Sequence, residues 1–459
     1  MKLPVKRRSW LSEPAFLLFV ALTLAKLLVF LVLVHQGRVA PFVGDNSRDH
    51  NLPTAERLLN EGRFNGPDSR TNSSVGPAYP AVIAVFMLVA QSRYLVAVAC
   101  FQMVADLATA MVLWWMGASY ASSKVGVLAG VVWLLYPPEI VMSTWITSET
   151  LFTALLMCSV AAFLWSLERC YATRFVLAGI LLGATTLCRS TTILLPGVLV
   201  LALLWRRPYR RAACFAGGFL VVVCPWAIRN MVVLRDPIPV SVGFGGAFLQ
   251  GSDERVFTIR GKQTYYPQMY ADAAKDGIVK PNTDHESQID HWLFQIGLHN
   301  YRQRLKERPL SIIPFQLKKF LRLWYSTESG GLNGQLILGL CSLPIVLPGL
   351  WHLSRGSEVR SQLSIASGIV VLYFILLSSA IDPINRYVLP IYPILSLAGC
   401  DWLLRQFPHL DSLGGRKCES PMTRQEYESA VITPSSGQSP RNTAVRLKVE
   451  QNQLVAGIE

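Results

Sequence analysis

The sequence predicts an all-α protein that crosses a membrane many times, and three observations carry that prediction. Of its 459 residues, 51% are hydrophobic and only 16% are charged, against roughly a quarter charged in a soluble domain. Mean hydropathy is positive, at +0.35. The apolar residues also gather in uncharged runs, many of them near the ~20 residues a helix needs to span a bilayer. A plain cytosolic globule is excluded.

Charge supplies the topology. There are 43 Lys and Arg against 29 Asp and Glu, a net +14, and such a surplus suits nucleic acid, an anionic membrane or an anionic substrate. Here the basic residues flank apolar runs, as in Lys2, Lys6, Arg7 and Arg8 and again Arg206, Arg207, Arg210 and Arg211. That placement marks membrane orientation, so no nucleic-acid partner is expected. The nine cysteines, most of them in or beside apolar runs, include no Cys-x-x-Cys pair, which indicates neither a disulfide framework nor a thiolate metal site.

The first apolar run, Pro14 to Val34, follows a basic start but is too long for a signal-peptide core and lacks a small-residue cleavage site. It is expected to be a retained first helix. Spanning helices are predicted over 14–35, 94–117, 124–138, 149–167, 174–188, 190–205, 211–227, 334–353, 362–380 and 387–404. The run 77–91 is short and carries Pro77 and Pro80. If it does not cross, Lys124, Arg169 with Arg174, the Arg206 to Arg211 cluster and Arg355 with Arg360 all fall on the cytoplasmic side with both termini. It is therefore read as a re-entrant or surface-lying helix, and about ten helices cross.

Two large segments then face out: 36–92, holding the juxtamembrane helix, and 228–333. The second contains a helical stretch from Ser287 to Arg304. It also contains Leu310 to Trp324, where Ile312, Ile313, Leu317, Leu321 and Trp324 recur at helical spacing beside Lys318, Lys319 and Arg322. That pattern suits a helix lying in the membrane interface. Residues 1–404 form one transmembrane domain, and 405–459 turn Ser, Gly, Pro and charge rich, as a largely disordered cytoplasmic tail does. Lys26 and Asp106 fall near mid-membrane in predicted helices, where each is costly unless paired. They are expected to pair with one another.

With no soluble catalytic domain, any chemistry belongs in the outer loops. Asp45 and Asp49 follow the first helix, where a carboxylate can act as general base on an acceptor; the plainer account is a solvated loop acid. Glu139 and Glu149 lie in YPPEIVMSTWITSETL, although Ser148 and Glu149 also suit a helix N-terminus. Arg189, Arg229 in PWAIRN and Arg386 in DPINRYVLPIYP are cations suited to gripping a phosphate, or else to anchoring helix ends.

In order, these motifs resemble the GT-C superfamily of membrane glycosyltransferases, in particular family-39-type bacterial relatives of the protein O-mannosyltransferases and the aminoarabinose transferases of lipid A. An acidic loop precedes A-x-x-L-L-x-x-G-x-F at Ala55 to Phe64, then GPAYP at Gly76 to Pro80 and YPP…TSETL at Tyr136 to Leu151. There follow a Gly- and Leu-patterned stretch with Arg189 from Gly179 to Pro196, PWAIRN at Pro225 to Asn230 and RYVLPIYP at Arg386 to Pro393.

The resemblance implies a multi-pass protein of a cell inner membrane. It implies a polyprenyl-phosphate sugar donor, a lipid, glycan or protein acceptor, and an extracytoplasmic active site working with inversion. Asp45, Asp49 and Glu149 are the catalytic candidates, with Asp45 preferred as base and Asp49 open. Arg189, Arg229, Arg386 and the adjoining Tyr387 are the candidates for holding the donor phosphate. No cofactor is called for, and a divalent cation is left open. The competing class is a transporter or flippase of a lipid-linked sugar, which commonly shows matched halves; no internal repeat is evident here.

Overall fold

The computed structural model describes residues 14–37, 50–64, 73–168, 171–205, 209–257, 259–283, 285–327, 331–355 and 361–407, with side chains at 256, 259–265 and 361–364 outside the description. Asp45, Asp49 and nearly all of the predicted tail therefore lie outside the described residues. All regular secondary structure among the described residues is helical.

The chain opens with α1 (Pro14–His35), as the first apolar run predicts. Helix α2 (Asn51–Glu61) keeps Pro53 in its first turn, where a missing N–H has no helical partner to lose. It ends at Gly62, whose φ of 64° is left-handed. The disputed run forms α3 (Ala78–Ala90), 13 residues long, or about 20 Å at 1.5 Å per residue. One short 3₁₀ turn separates it from α4 (Tyr94–Tyr120).

The stretch 124–138 divides into α5 (Ser123–Leu134) and α6 (Pro137–Met142). Tyr136 precedes Pro137 with ψ of 114°, because proline forces its predecessor out of the helical region. Next come α7 (Glu149–Glu168), α8 (Ala172–Cys188), α9 (Leu195–Trp205) and α10 (Tyr209–Val233). Helix α10 runs past the predicted end at 227, so Arg229 sits on a helix rather than at the start of a loop.

The large segment that follows is helical: α11 (Phe244–Gln250), α12 (Ile259–Lys275), α13 (Glu286–Glu307) and α14 (Ile312–Arg322). The chain then enters α15 (Leu332–Arg355), α16 (Ser361–Ala380), the short α17 (Asn385–Val388) and α18 (Tyr392–Gln406). The described residues up to Gln406 form one compact unit.

Among the described residues, six helical segments are long and apolar enough to cross a membrane, and four more, of 10–17 residues, are apolar but shorter. Together they follow the ten predicted runs in order. The shortfall in length has local causes. Pro137 ends α5 early, and at the start of α9 a 3₁₀ turn at Ser190–Thr192 replaces the first helical residues.

Packing explains glycines of α8 and α10. A Cβ on Gly179 would lie 2.1 Å from the Phe215 carbonyl oxygen, and one on Gly218 would lie 2.2 Å from that of Val176. Thus α8 and α10 touch backbone to backbone, the close approach that small residues permit between helices in lipid.

Lys26 of α1 donates to Asp106 of α4, and the aspartate is wholly buried. Breaking a buried pair by removing one partner costs about 3–5 kcal/mol, since it strands the other charge. Lys26→Ala and Asp106→Ala are each expected to lose about that much stability in detergent, and the double variant less than their sum. Additive losses would show that the two charges are not coupled.

Candidate functional site

The site assembles on the first residue of α7. Glu149 is fully buried, and its Oε1 accepts from Arg189 Nη1 and from Arg386 Nε. The Arg189 and Arg386 side chains keep 19% and 23% of their surface exposed, whereas the glutamate keeps none. Glu149 Oε2 is buried with no hydrogen-bond partner among the described residues.

Local structure delivers each member. Arg189 caps α8 with extended backbone, φ −153° and ψ 122°, which turns the chain away from the helix. Its guanidinium lies 5.6 Å from the Tyr387 ring centroid, within cation–π reach. Arg386 and Tyr387 sit on α17, a single turn after Asp382 and Pro383. On the α7 side, Cys188 Sγ reaches the Ser148 carbonyl at 3.9 Å, tying the end of α8 to the start of α7.

Behind Glu149 lies a second acid. Thr150 donates to Glu139 Oε1 at 2.8 Å, and Glu139 is fully buried. The short helix α6 thereby braces the first turn of α7. The sequence points to both glutamates, but only contact separates them: Glu149 meets two arginines, whereas Glu139 meets a hydroxyl.

The structure thus brings together Glu149, Arg189, Arg386 and Tyr387. Arg229 is engaged elsewhere. Its Nη1 donates to Asn230 Oδ1 at 3.0 Å, its Nη2 reaches the Phe64 carbonyl at 3.4 Å, and it lies 4.8 Å from the Trp226 ring. It braces the end of α2 against α10. Ser241 and Ser190, joined at 2.8 Å, link the following segment to the Arg189 turn.

Two cations on one carboxylate leave the cluster at net +1, and the donors are planar and pre-aligned. Such a site accepts an anionic oxygen.

The fold is similar to that of the archaeal oligosaccharyltransferase AglB of Archaeoglobus fulgidus. One structure, in complex with an inhibitory peptide and a dolichol-phosphate, aligns with a TM-score of 0.52 at 12% identity over 96% of this chain and 55% of that one. The chain has the GT-C fold. A second structure of the enzyme from the same organism, tethered to an acceptor peptide, aligns with a TM-score of 0.51 at 12% identity, covering 93% of this chain and 54% of the other. ArnT from Cupriavidus metallidurans bound to undecaprenyl phosphate aligns with a TM-score of 0.39 at 14% identity over 86% and 79%. This GT-C chain spans about half the length of the archaeal proteins.

Residues 78–263 match the family model of glycosyltransferase family 87, where the order of motifs suggests the family-39 type. The matched stretch holds Glu149, Arg189 and Arg229 and stops short of Arg386. No curated protein matches the chain in sequence.

Proposed function

We propose that this GT-C protein is a membrane glycosyltransferase that moves a sugar from a polyprenyl-phosphate donor to an acceptor on the extracytoplasmic face, with inversion. The observation that carries the reading is the Glu149, Arg189 and Arg386 cluster, with a net +1 at the ends of apolar helices. A donor phosphodiester brings one negative charge and neutralises it. The family 87 match and the dolichol-phosphate of the archaeal neighbour point the same way.

In this mechanism Arg189 and Arg386 hold the donor phosphate, Tyr387 packs beside Arg189, and Glu149 keeps the two guanidiniums together when the site is empty. Asp45 or Asp49 removes the acceptor proton as the acceptor oxygen attacks the anomeric carbon. The bond to phosphate breaks on the opposite face, and the electron pair leaves with the lipid phosphate. That leaving group is a weak base stabilised by the arginines, so it needs no separate acid. The acceptor is a lipid, a glycan or a protein.

Purified protein given a radiolabelled polyprenyl-phosphate sugar and candidate acceptors tests this directly. The expected result is label in the acceptor together with free lipid phosphate. Movement of intact donor between leaflets of a liposome, without transfer, would replace this reading with that of a flippase.

Topology is tested separately. In a cysteine-free background, Tyr270→Cys should react with an impermeant reagent from outside, and Pro208→Cys only after lysis. Reversal would place the arginine cluster on the wrong side for this mechanism.

A further inference from the structure

Helix α14 presents an unexpected face to its own protein. Ile313, Leu317 and Leu321 are 67%, 56% and 50% exposed, while Phe315, Lys319 and Arg322 of the same helix are buried. A lysine buried completely is costly unless its donors are satisfied. Here all three are. Lys319 Nζ donates to the Gly251 carbonyl at 2.7 Å, to the Tyr301 hydroxyl at 3.0 Å and to the Ala380 carbonyl at 3.2 Å. These acceptors come from the end of α11, from α13 and from the last residue of α16.

The chain from Ala380 to Arg386 is the turn that presents one of the two site arginines, and it is tied at both ends. At its start, the backbone of α11 lies directly against it: a Cβ on Gly251 would sit 2.2 Å from the Ile381 carbonyl oxygen. At its end, Asn385 N–H donates to the Ser326 carbonyl at 3.0 Å. The Asn385 amide donates to the Leu323 carbonyl at 3.2 Å and to the Tyr392 hydroxyl at 2.7 Å. Arg322 holds Ser326 in place through Oγ at 2.8 Å.

We propose that Lys319 is a positioning residue that fixes the 380–386 turn against the outer helices and so sets how tightly Arg386 holds the donor phosphate. The inference rests on the phosphate role given to Arg386 above. An apolar side chain would fill the space more cheaply, but it would offer nothing to three carbonyl and hydroxyl oxygens. Losing them frees the start of the turn.

The pin also carries a signature in pH. Burial pushes the Lys319 ammonium down to about 7. The charged and titratable groups around it are Asp382 from the turn, Tyr301 from α13 and Arg322 on α14 itself; α11 offers the Gly251 carbonyl. Below neutrality the ammonium has a donor for each acceptor; as pH rises through 7 it loses one. A phosphodiester donor has no second proton to lose in that range, so donor KM in the wild type should rise with pH.

Steady-state transfer by the full-length protein tests the pin. Lys319→Met is expected to raise donor KM about tenfold with kcat within about twofold, as misplacement of a binding group does, and to flatten the rise of KM between about pH 6 and 8.5. Gly251→Ala, which pushes the turn from the other side, should raise KM in the same way. Lys318→Met, on the exposed face, should change nothing. Donor KM unmoved in Lys319→Met, or in Gly251→Ala should Lys319→Met not fold, or a fall in kcat at constant KM, would overturn the proposal. Arg386→Ala separates the two levels. If it leaves donor KM unchanged, the phosphate reading itself fails; if it raises KM while Lys319→Met does not, only the pin is wrong.

Discussion

Asp→Asn at the proposed catalytic base should reduce turnover by about 10² to 10⁴-fold, the usual contribution of a general base, while donor affinity and folded yield stay near wild type. Asp45 is the preferred position because in the sequence it stands nearer than Asp49 to His35, where α1 ends. The substitution keeps size and shape and removes only the capacity to accept a proton. A loss confined to kcat therefore separates a base from a residue that binds donor. If Asp49→Asn shows the loss and Asp45→Asn does not, the role moves by four positions and the mechanism stands. If both retain wild-type turnover, the acceptor proton leaves by another route and the mechanism is wrong.

Glu149→Gln should have a comparably large effect, but on stability. Glu149 is wholly buried and its Oε1 serves two arginines whose side chains are mostly buried themselves. Removing one partner of a buried ionic cluster costs about 3–5 kcal/mol. Here it also raises the cluster from +1 to +2. Thermal unfolding in detergent should show the loss. A polyprenyl phosphate that binds only the folded state should recover more of it in the variant than it adds to the wild type, because the anion now meets two uncompensated cations. Equal stabilisation of both proteins would separate the phosphate from this cluster.

Much of the fold is legible in the sequence because apolar runs and flanking charge are direct consequences of a lipid solvent. The ten runs reappear in order, and the short run at 77–91 forms a helix of only 13 residues. Details set by proline are legible too once neighbours are considered, as at Tyr136 before Pro137. What pattern does not reveal is which face of α14 turns inward. The same alternation of apolar and basic residues describes a helix buried on its apolar side or on its cationic side. The structure chooses the latter because Gly251, Tyr301 and Ala380 supply oxygens for Lys319.

The candidate site was partly legible for a related reason. Glu149, Arg189 and Arg386 are separated by 40 and 197 residues in the chain, and their motifs mark them individually without saying that they meet. Arg229 carries as strong a motif in PWAIRN, yet the extra turns of α10 carry it to Trp226, Asn230 and Phe64. A cation beside aromatic rings and a carbonyl is indistinguishable in sequence from one beside a carboxylate. Only the tertiary neighbours differ.

The central claim is that Arg189 and Arg386, gathered by Glu149, hold a lipid phosphate. Direct binding of polyprenyl phosphate to the purified wild type and to Arg386→Ala measures it. A hydrogen bond between charged groups is worth about 1.5–3 kcal/mol, so the account predicts affinity weakened by about ten- to a hundredfold in a variant that remains folded. An unchanged Kd in folded Arg386→Ala would contradict it.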